Sequence, residues 1–288
     1  MSNPLVSVEE LADALDDVGT TRPIVLADVR WTLNGPPGRP DYEAGHLPGA
    51  VHVDLETELT THGSGGGRHP LPTPQVFQRA VRRIGVSART RVVVYDGATS
   101  LAASRLWWLL TDAGHPDVRV LDGGFAAWQA AGKPVETGAG PAPTAGDFVV
   151  QPGHRRVVDA VAVTALSRSG TGPALVDVRA ADRYAGQNET VDPVAGHIPG
   201  AVNLPSTENL TASGRFKATA EIAQRFADIE GEPVLYCGSG ITAAHTLLAL
   251  EAAGRTASIY PGSWSDWITD PRRPRATGPG RWTSDRQS

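Results

Sequence analysis

One cysteine, Cys237, is followed by Gly238-Ser239-Gly240 and then by a run that predicts a helix. Val234 to Tyr236 predicts a buried strand, and Thr242 to Ala253 a helix with Leu247, Leu248 and Leu250 as apolar positions and Gly254 as its stop. Cys237 therefore falls on a tight turn between a strand end and a helix start. Glycines at 238 and 240 let that turn curl, so that successive backbone N–H groups converge. The positive end of the helix dipole favours the thiolate, which is the reactive form of cysteine. The chemistry this spacing suits is nucleophilic attack by Cys237 from the mouth of a cradle of amides. A buried structural thiol is the plain alternative; the order strand, Cys, glycine turn, helix outweighs it.

The elements that must position this turn recur along the chain. Leu5 to Leu15 predicts a helix with Ser7 as N-cap and Glu10 as its capping-box partner. Ile24 to Val29 predicts a strand, Trp31 to Pro40 a Gly- and Pro-rich loop, and Thr60 to Gly67 a polar glycine-rich loop. Gln75 to Ile84 and Ala102 to Ala113 predict helices, and Arg91 to Tyr95 and Val118 to Leu121 strands. The same order returns from Val157: a helix to Leu166, a strand at 174–178, a helix from Glu221 to Phe226, then the cysteine turn. Ala195-Gly196-His197-Ile198-Pro199-Gly200-Ala201-Val202 repeats the segment from Ala44 to Val51 nearly letter for letter, and Asp177-Val178-Arg179 repeats Asp28-Val29-Arg30. The period is that of a whole domain, far longer than a solenoid repeat.

Strands alternating with helices predict an α/β chain of two tandem domains, each a parallel sheet flanked by helices. We place the first at residues 1–140, a linker at 141–154 and the second at 155–288, with an irregular tail from about 271 and Trp282 as a candidate docking side chain. Sites in such sheets lie beyond the strand C-termini, where Cys237 falls. In the first copy Asp96 stands where Cys237 stands, so only the second copy has a nucleophile.

A net charge of −5 with scattered basic residues argues against nucleic acid or an anionic membrane surface as partner. The N-terminus has neither a basic patch nor an apolar core, and a cytoplasmic location is expected. One cysteine excludes an intramolecular disulfide, and the histidines show no metal-ligand spacing, so no metal is expected.

With these segments in view, the chain resembles the two-domain rhodanese family of sulfurtransferases. The resemblance rests on both Gly-His-x-Pro-Gly-Ala-Val segments, the duplicated Asp-Val-Arg strand ends, the cysteine loop and the closing Tyr260-Pro261-Gly262-Ser263-Trp264-Ser265-Asp266-Trp267. It implies two rhodanese-like domains, the first inactive, and transfer of a sulfane sulfur through a persulfide on Cys237, without a cofactor. It implies a small-molecule sulfur donor and a thiol acceptor, either a small thiol or a thioredoxin-like protein, or cyanide.

Members that use thiosulfate carry two cations after the cysteine, whereas users of 3-mercaptopyruvate carry Cys-Gly-Ser-Gly-x-Thr. Cys237-Gly238-Ser239-Gly240-Ile241-Thr242 resembles the second type, and a neutral loop suits a monoanionic keto acid better than a dianion. The donor expected is therefore 3-mercaptopyruvate; thiosulfate, or a module that carries sulfur without turning it over, are the alternatives. The resemblance makes Cys237, Ser239, His69 and Asp54 catalytic, the last three as a proton-moving triad. It makes Arg183 a binder of the donor's anionic end, Arg179 a nearby ion-pair partner, and Gly238, Gly240, Ile241 and Thr242 the binding loop. Val194 falls where a second binding arginine would stand. His46, His197 and His245 are expected to be structural. Cysteine phosphatases need an arginine where this chain has Ala243, which excludes that chemistry.

Overall fold

The computed structural model describes residues 3–17, 22–63 and 65–279; Trp282 lies outside them. The chain forms two compact units: Met1–Gly63, Leu71–Arg155 and Leu210–Lys217 make one, and Ser64–Pro70, Arg156–Asn209 and Ala218–Ser288 the other. Each unit thus takes in a short segment from the other's stretch of sequence.

The first unit runs β1 (Leu5–Val6), α1 (Val8–Asp16), β2 (Ile24–Asp28), α2 (Arg39–Ala44), β3 (Val51–His52), α3 (Leu55–Glu58), α4 (Pro74–Arg83), β4 (Arg91–Tyr95), α5 (Leu101–Asp112), β5 (Val118–Leu121) and α6 (Gly124–Ala130). Its strands form one parallel sheet, ordered β1-β5-β4-β2-β3. The run Val92-Val93-Val94-Tyr95 is buried throughout, as a central parallel strand covered on both faces requires. Ser7 and Glu10 form the expected capping box at the start of α1. Leu5 and Val6, expected in that helix, pair instead with Val120 and Leu121; sheet hydrogen bonds at an open edge outweigh a weak helix propensity.

The second unit runs α7 (Ala160–Ser169), β6 (Leu175–Asp177), α8 (Ala181–Ala185), β7 (Val202–Asn203), a 3-10 turn at Ser206–Asn209, α9 (Thr219–Arg225), β8 (Val234–Tyr236), α10 (Ile241–Ala252), β9 (Ser258–Ile259) and α11 (Ser263–Trp267). Its parallel sheet is ordered β7-β6-β8-β9. A single parallel bridge from Val157 to Ile259 repeats the place of β1, so α7 starts at Ala160, where Asp159 Oδ1 accepts the Ala162 N–H at 2.8 Å. α10 is buried on nearly every side, which explains why its sequence is apolar all round. Beyond α11, residues 271–279 form no helix. They are tied back by Trp267 Nε1, which donates to Pro274 O at 2.9 Å, and by the Gly278 N–H, which donates to Ala185 O at 2.9 Å.

The duplicated histidines hold turns in both units. His46 Nδ1 lies 2.9 Å from Tyr42 O and His197 Nδ1 2.8 Å from Tyr184 O, and each ring stacks on that tyrosine. Each tyrosine hydroxyl in turn donates to a backbone carbonyl, of Ala50 or Ala201. No helix among the described residues is long and apolar enough to cross a membrane.

Candidate active site

Cys237 follows the last residue of β8, and the start of α10 lies four residues on. Gly240 caps α10 at φ +85°, where a Cβ would strike the carbonyl of Pro261; only glycine fits this turn. Its N–H donates to Cys237 Sγ at 3.1 Å. The loop is pinned from α11, since Trp264 N–H donates to Cys237 O and Ser265 N–H to Gly238 O, each at 2.9 Å.

Ser263 is a non-glycine residue at φ +54°. Its Oγ accepts the Cys237 N–H at 3.1 Å, donates to Tyr260 O at 2.9 Å and lies 3.9 Å from Sγ. A side chain held in the left-handed region costs about 1–2 kcal/mol, and such residues persist where surrounding structure fixes them. Here the hydroxyl fixes the backbone of Cys237. The alignment of the two closing segments, with Gly124 opposite Ser263, carried this signal.

The sequence placed the sulfur at the mouth of its cradle. It lies deeper: Cys237 is 1% exposed. Two guanidinium groups lie over its loop. The point where a Cβ on Gly238 would stand is 2.8 Å from Arg68 Nη2 and 3.7 Å from Arg183 Nη2. Arg183 pairs with Glu189 at 2.8 Å and Asp192 at 3.1 Å, and Arg68 pairs with the other oxygen of Asp192. Burial pulls the Arg68 guanidinium below its ordinary value, a shift that the nearby Cys237 opposes.

Arg179 is spent inward. Its guanidinium binds Asp177 at 2.7 Å, Glu189 at 3.3 Å and Gly196 O at 2.6 Å, with 2% of the side chain exposed. It therefore steadies Glu189 beneath Arg183. Val194 packs against the core, and its carbonyl accepts from Trp264 Nε1 at 2.8 Å.

Ser239 and His69, distant in sequence, meet: His69 Nδ1 lies 2.7 Å from Ser239 Oγ, and both residues are buried. Asp54 belongs to the other unit, where its carboxylate caps α3 by accepting the Thr57 N–H at 2.9 Å and the Thr57 hydroxyl at 3.0 Å. Ile241 and Thr242 open α10 beside Gly240, Ile241 buried and Thr242 half-buried. Among the described residues, no group of three or more His, Cys, Asp and Glu could hold a metal ion.

The rhodanese-like domain family matches this chain twice, at residues 7–131 and 162–270. A Mycobacterium tuberculosis protein provisionally named as a thiosulfate sulfurtransferase is 42% identical over 279 residues, covering 95% of this chain and 97% of that protein. A Pseudomonas aeruginosa protein provisionally named as a 3-mercaptopyruvate sulfurtransferase is 42% identical over 287 residues, covering 96% and 99%. The crystal structure of an Escherichia coli 3-mercaptopyruvate sulfurtransferase superposes with a TM-score of 0.79 at 33% identity, covering 92% of this chain and all of that one.

Proposed function

Because this chain belongs to the rhodanese-like domain family and is a sulfurtransferase, we propose that its donor is 3-mercaptopyruvate and that Cys237 carries the transferred sulfur. The observation that carries this reading is the neutral loop Cys237-Gly238-Ser239-Gly240-Ile241-Thr242 with Ser239 Oγ held 2.7 Å from His69 Nδ1. A loop without its own cations suits a monoanionic keto acid, and a hydroxyl–imidazole pair can move the proton that this donor requires.

In the first step the Cys237 thiolate bonds to the donor's sulfur. The carbon–sulfur bond breaks with its electron pair going to carbon, which gives the enolate of pyruvate. The donor's thiol proton, passed by way of Ser239 and His69, completes pyruvate, and Cys237 keeps a persulfide. The Gly240 N–H and its neighbours at the start of α10 hold the sulfur's negative charge. A thiol, small or on a thioredoxin-like protein, or cyanide, then takes the terminal sulfur; the cytoplasm is the compartment this reading expects. Arg183 grips the donor's carboxylate.

The test is kcat/KM for 3-mercaptopyruvate and for thiosulfate on one preparation, with mass spectrometry of Cys237 after donor alone. Preference for 3-mercaptopyruvate and a mass gain of one sulfur on Cys237 are expected. Faster thiosulfate turnover would reverse the donor. His69→Ala and Ser239→Ala are each expected to lower kcat for 3-mercaptopyruvate about a hundredfold.

A further inference from the structure

We infer that Tyr260 and Asp266 are positioning residues for Cys237: their side-chain hydrogen bond closes the turn that keeps Ser263 in the left-handed region, and so keeps the Ser263 hydroxyl on the Cys237 N–H. This rests on the sulfurtransferase reading and deepens it.

The turn reaches the cysteine loop by three hydrogen bonds. Ser263 Oγ accepts the Cys237 N–H at 3.1 Å, and the N–H groups of Trp264 and Ser265 donate to Cys237 O and Gly238 O, each at 2.9 Å. Tyr260 opens the turn. Its N–H donates to Leu235 O at 2.9 Å, and its carbonyl accepts from Ser263 Oγ at 2.9 Å. Asp266 closes it, with its N–H donating to Gly262 O at 3.1 Å. The Tyr260 hydroxyl then donates to Asp266 Oδ2, which ties the two ends together. The carboxylate lies against Gly262, where a Cβ would stand 2.8 Å from Oδ2. Arg273 steadies Asp266 from the other side, 3.6 Å from Oδ2, and its Nη1 donates to Asp266 O at 2.7 Å. Tyr260 is 2% exposed. Burial first, and then Asp266, raise its hydroxyl above the ordinary value, so it stays protonated and donates.

The first unit builds the same turn without this closure. The Phe125 N–H donates to Asp96 O at 2.8 Å, the Ala126 N–H to Gly97 O at 2.9 Å and the Ala127 N–H to Gly123 O at 3.1 Å. A Cβ on Gly123 would stand 2.7 Å from Ala127 Cβ, and one on Gly262 2.6 Å from Asp266 Cβ. The backbones thus correspond residue for residue, with Leu121 and Ala127 in the places of Tyr260 and Asp266. The left-handed residue of that turn is Gly124, which adopts φ +54° without a steric penalty. Ser263 adopts the same angle against its own Cβ. The closure therefore occurs in the unit where the angle is strained and is missing where the angle is free. Strain of this kind persists only when its surroundings over-determine it. With the closure removed, Ser263 can relax out of the left-handed region, and the Cys237 N–H loses its acceptor.

A double-variant cycle on the full chain tests this, read by kcat and KM for 3-mercaptopyruvate and for thiosulfate. Tyr260→Phe is expected to lower kcat for the preferred donor about threefold to tenfold, with KM within about twofold, because a buried side chain that acts through the turn touches no donor. In a chain that already carries Ser263→Gly, the same change is expected to lower kcat by less than about twofold, because neither the strain nor the hydroxyl remains. Losses that multiply in full, or an unaltered kcat in Tyr260→Phe, would overturn the assignment. Asp266→Ala is expected to match Tyr260→Phe, whereas Asp266→Asn, which keeps an acceptor for the tyrosine hydroxyl, is expected to retain at least about half of the unaltered kcat; equal losses in the two would count against the role as well. Should Tyr260→Phe fail to fold, Asp266→Ala, the residue type that the first unit carries at this place, decides on the same terms. If thiosulfate proves the faster donor while the cycle stays non-additive on it, the donor proposed above fails and the role of Tyr260 and Asp266 stands.

Discussion

The two units solve the same geometric problem with opposite contents. In each, the residue after the central strand turns into a buried helix, α5 or α10, through a cap in the left-handed region, Ser100 at φ +60° or Gly240 at φ +85°. In the first unit the turn is filled by its own anion. Asp96 accepts the N–H groups of Ala98, Ser100, Ala102 and Ala103 at 2.9–3.2 Å; burial pushes its carboxyl up and these four amides oppose the shift. In the second unit the Gly240 N–H reaches Sγ at 3.1 Å. An aspartate oxygen stands two bonds beyond Cβ, as does the outer sulfur of a cysteine persulfide. Asp96 therefore shows what a filled cradle looks like, and the proposed persulfide on Cys237 would fill the second in the same way.

The neighbours differ in the same sense. Gly124, at φ +54°, stands where Ser263, at the same angle, holds Cys237. The segment over the first turn carries Gly214-Arg215-Phe216, with the Phe216 N–H donating to Asp122 Oδ1 at 2.9 Å. The segment over the second carries Gly67-Arg68-His69. Phe216 thus stands in the first segment where His69, 2.7 Å from Ser239 Oγ, stands in the second.

Substitutions at paired positions sharpen or break this contrast. Cys237→Ser is expected to reduce turnover about a thousandfold or more with either donor. Adding Asp96→Cys to it should restore nothing, because that turn has Phe216 for His69 and Gly124 for Ser263; recovered pyruvate release would end the contrast. Asp96→Ala leaves buried N–H groups without an acceptor. It should cost about 3 kcal/mol in denaturant unfolding, with kcat per folded chain changed less than about twofold. Ser263→Gly copies the silent unit. Relief of the left-handed strain should leave the melting temperature unchanged or slightly raised, while loss of the hydroxyl lowers kcat/KM about threefold to tenfold. A lower melting temperature with unaltered kinetics would show that Ser263 is only structural.

Much of this was legible in the sequence because it depends on local pattern. Strand, cysteine, glycines and apolar helix in that order placed Cys237 beyond the C-terminal end of a strand, and the Ser7–Glu10 box placed α1. The rest depends on contacts between distant residues. Arg68 lies 124 residues before Asp192 in a glycine-rich stretch that reads as an ordinary loop, and nothing local marks Asp192 or Glu189 as buried counter-charges. The depth of Cys237 was missed for the same reason, since the 260–265 segment packed on its loop comes from elsewhere in the chain. The pairing of Ser239 with His69 was expected only through family resemblance, with no signal in either residue's surroundings.

The traded segments bear on how such a protein could be taken apart. Residues 64–70 fold with the second unit and 210–217 with the first. A cut in the 141–154 stretch would therefore yield two fragments, each deprived of a piece that it needs and burdened with one that it does not. The later fragment would keep Cys237 but lose Arg68 and His69. Loss of either half by truncation would thus also remove part of the compact unit that stays.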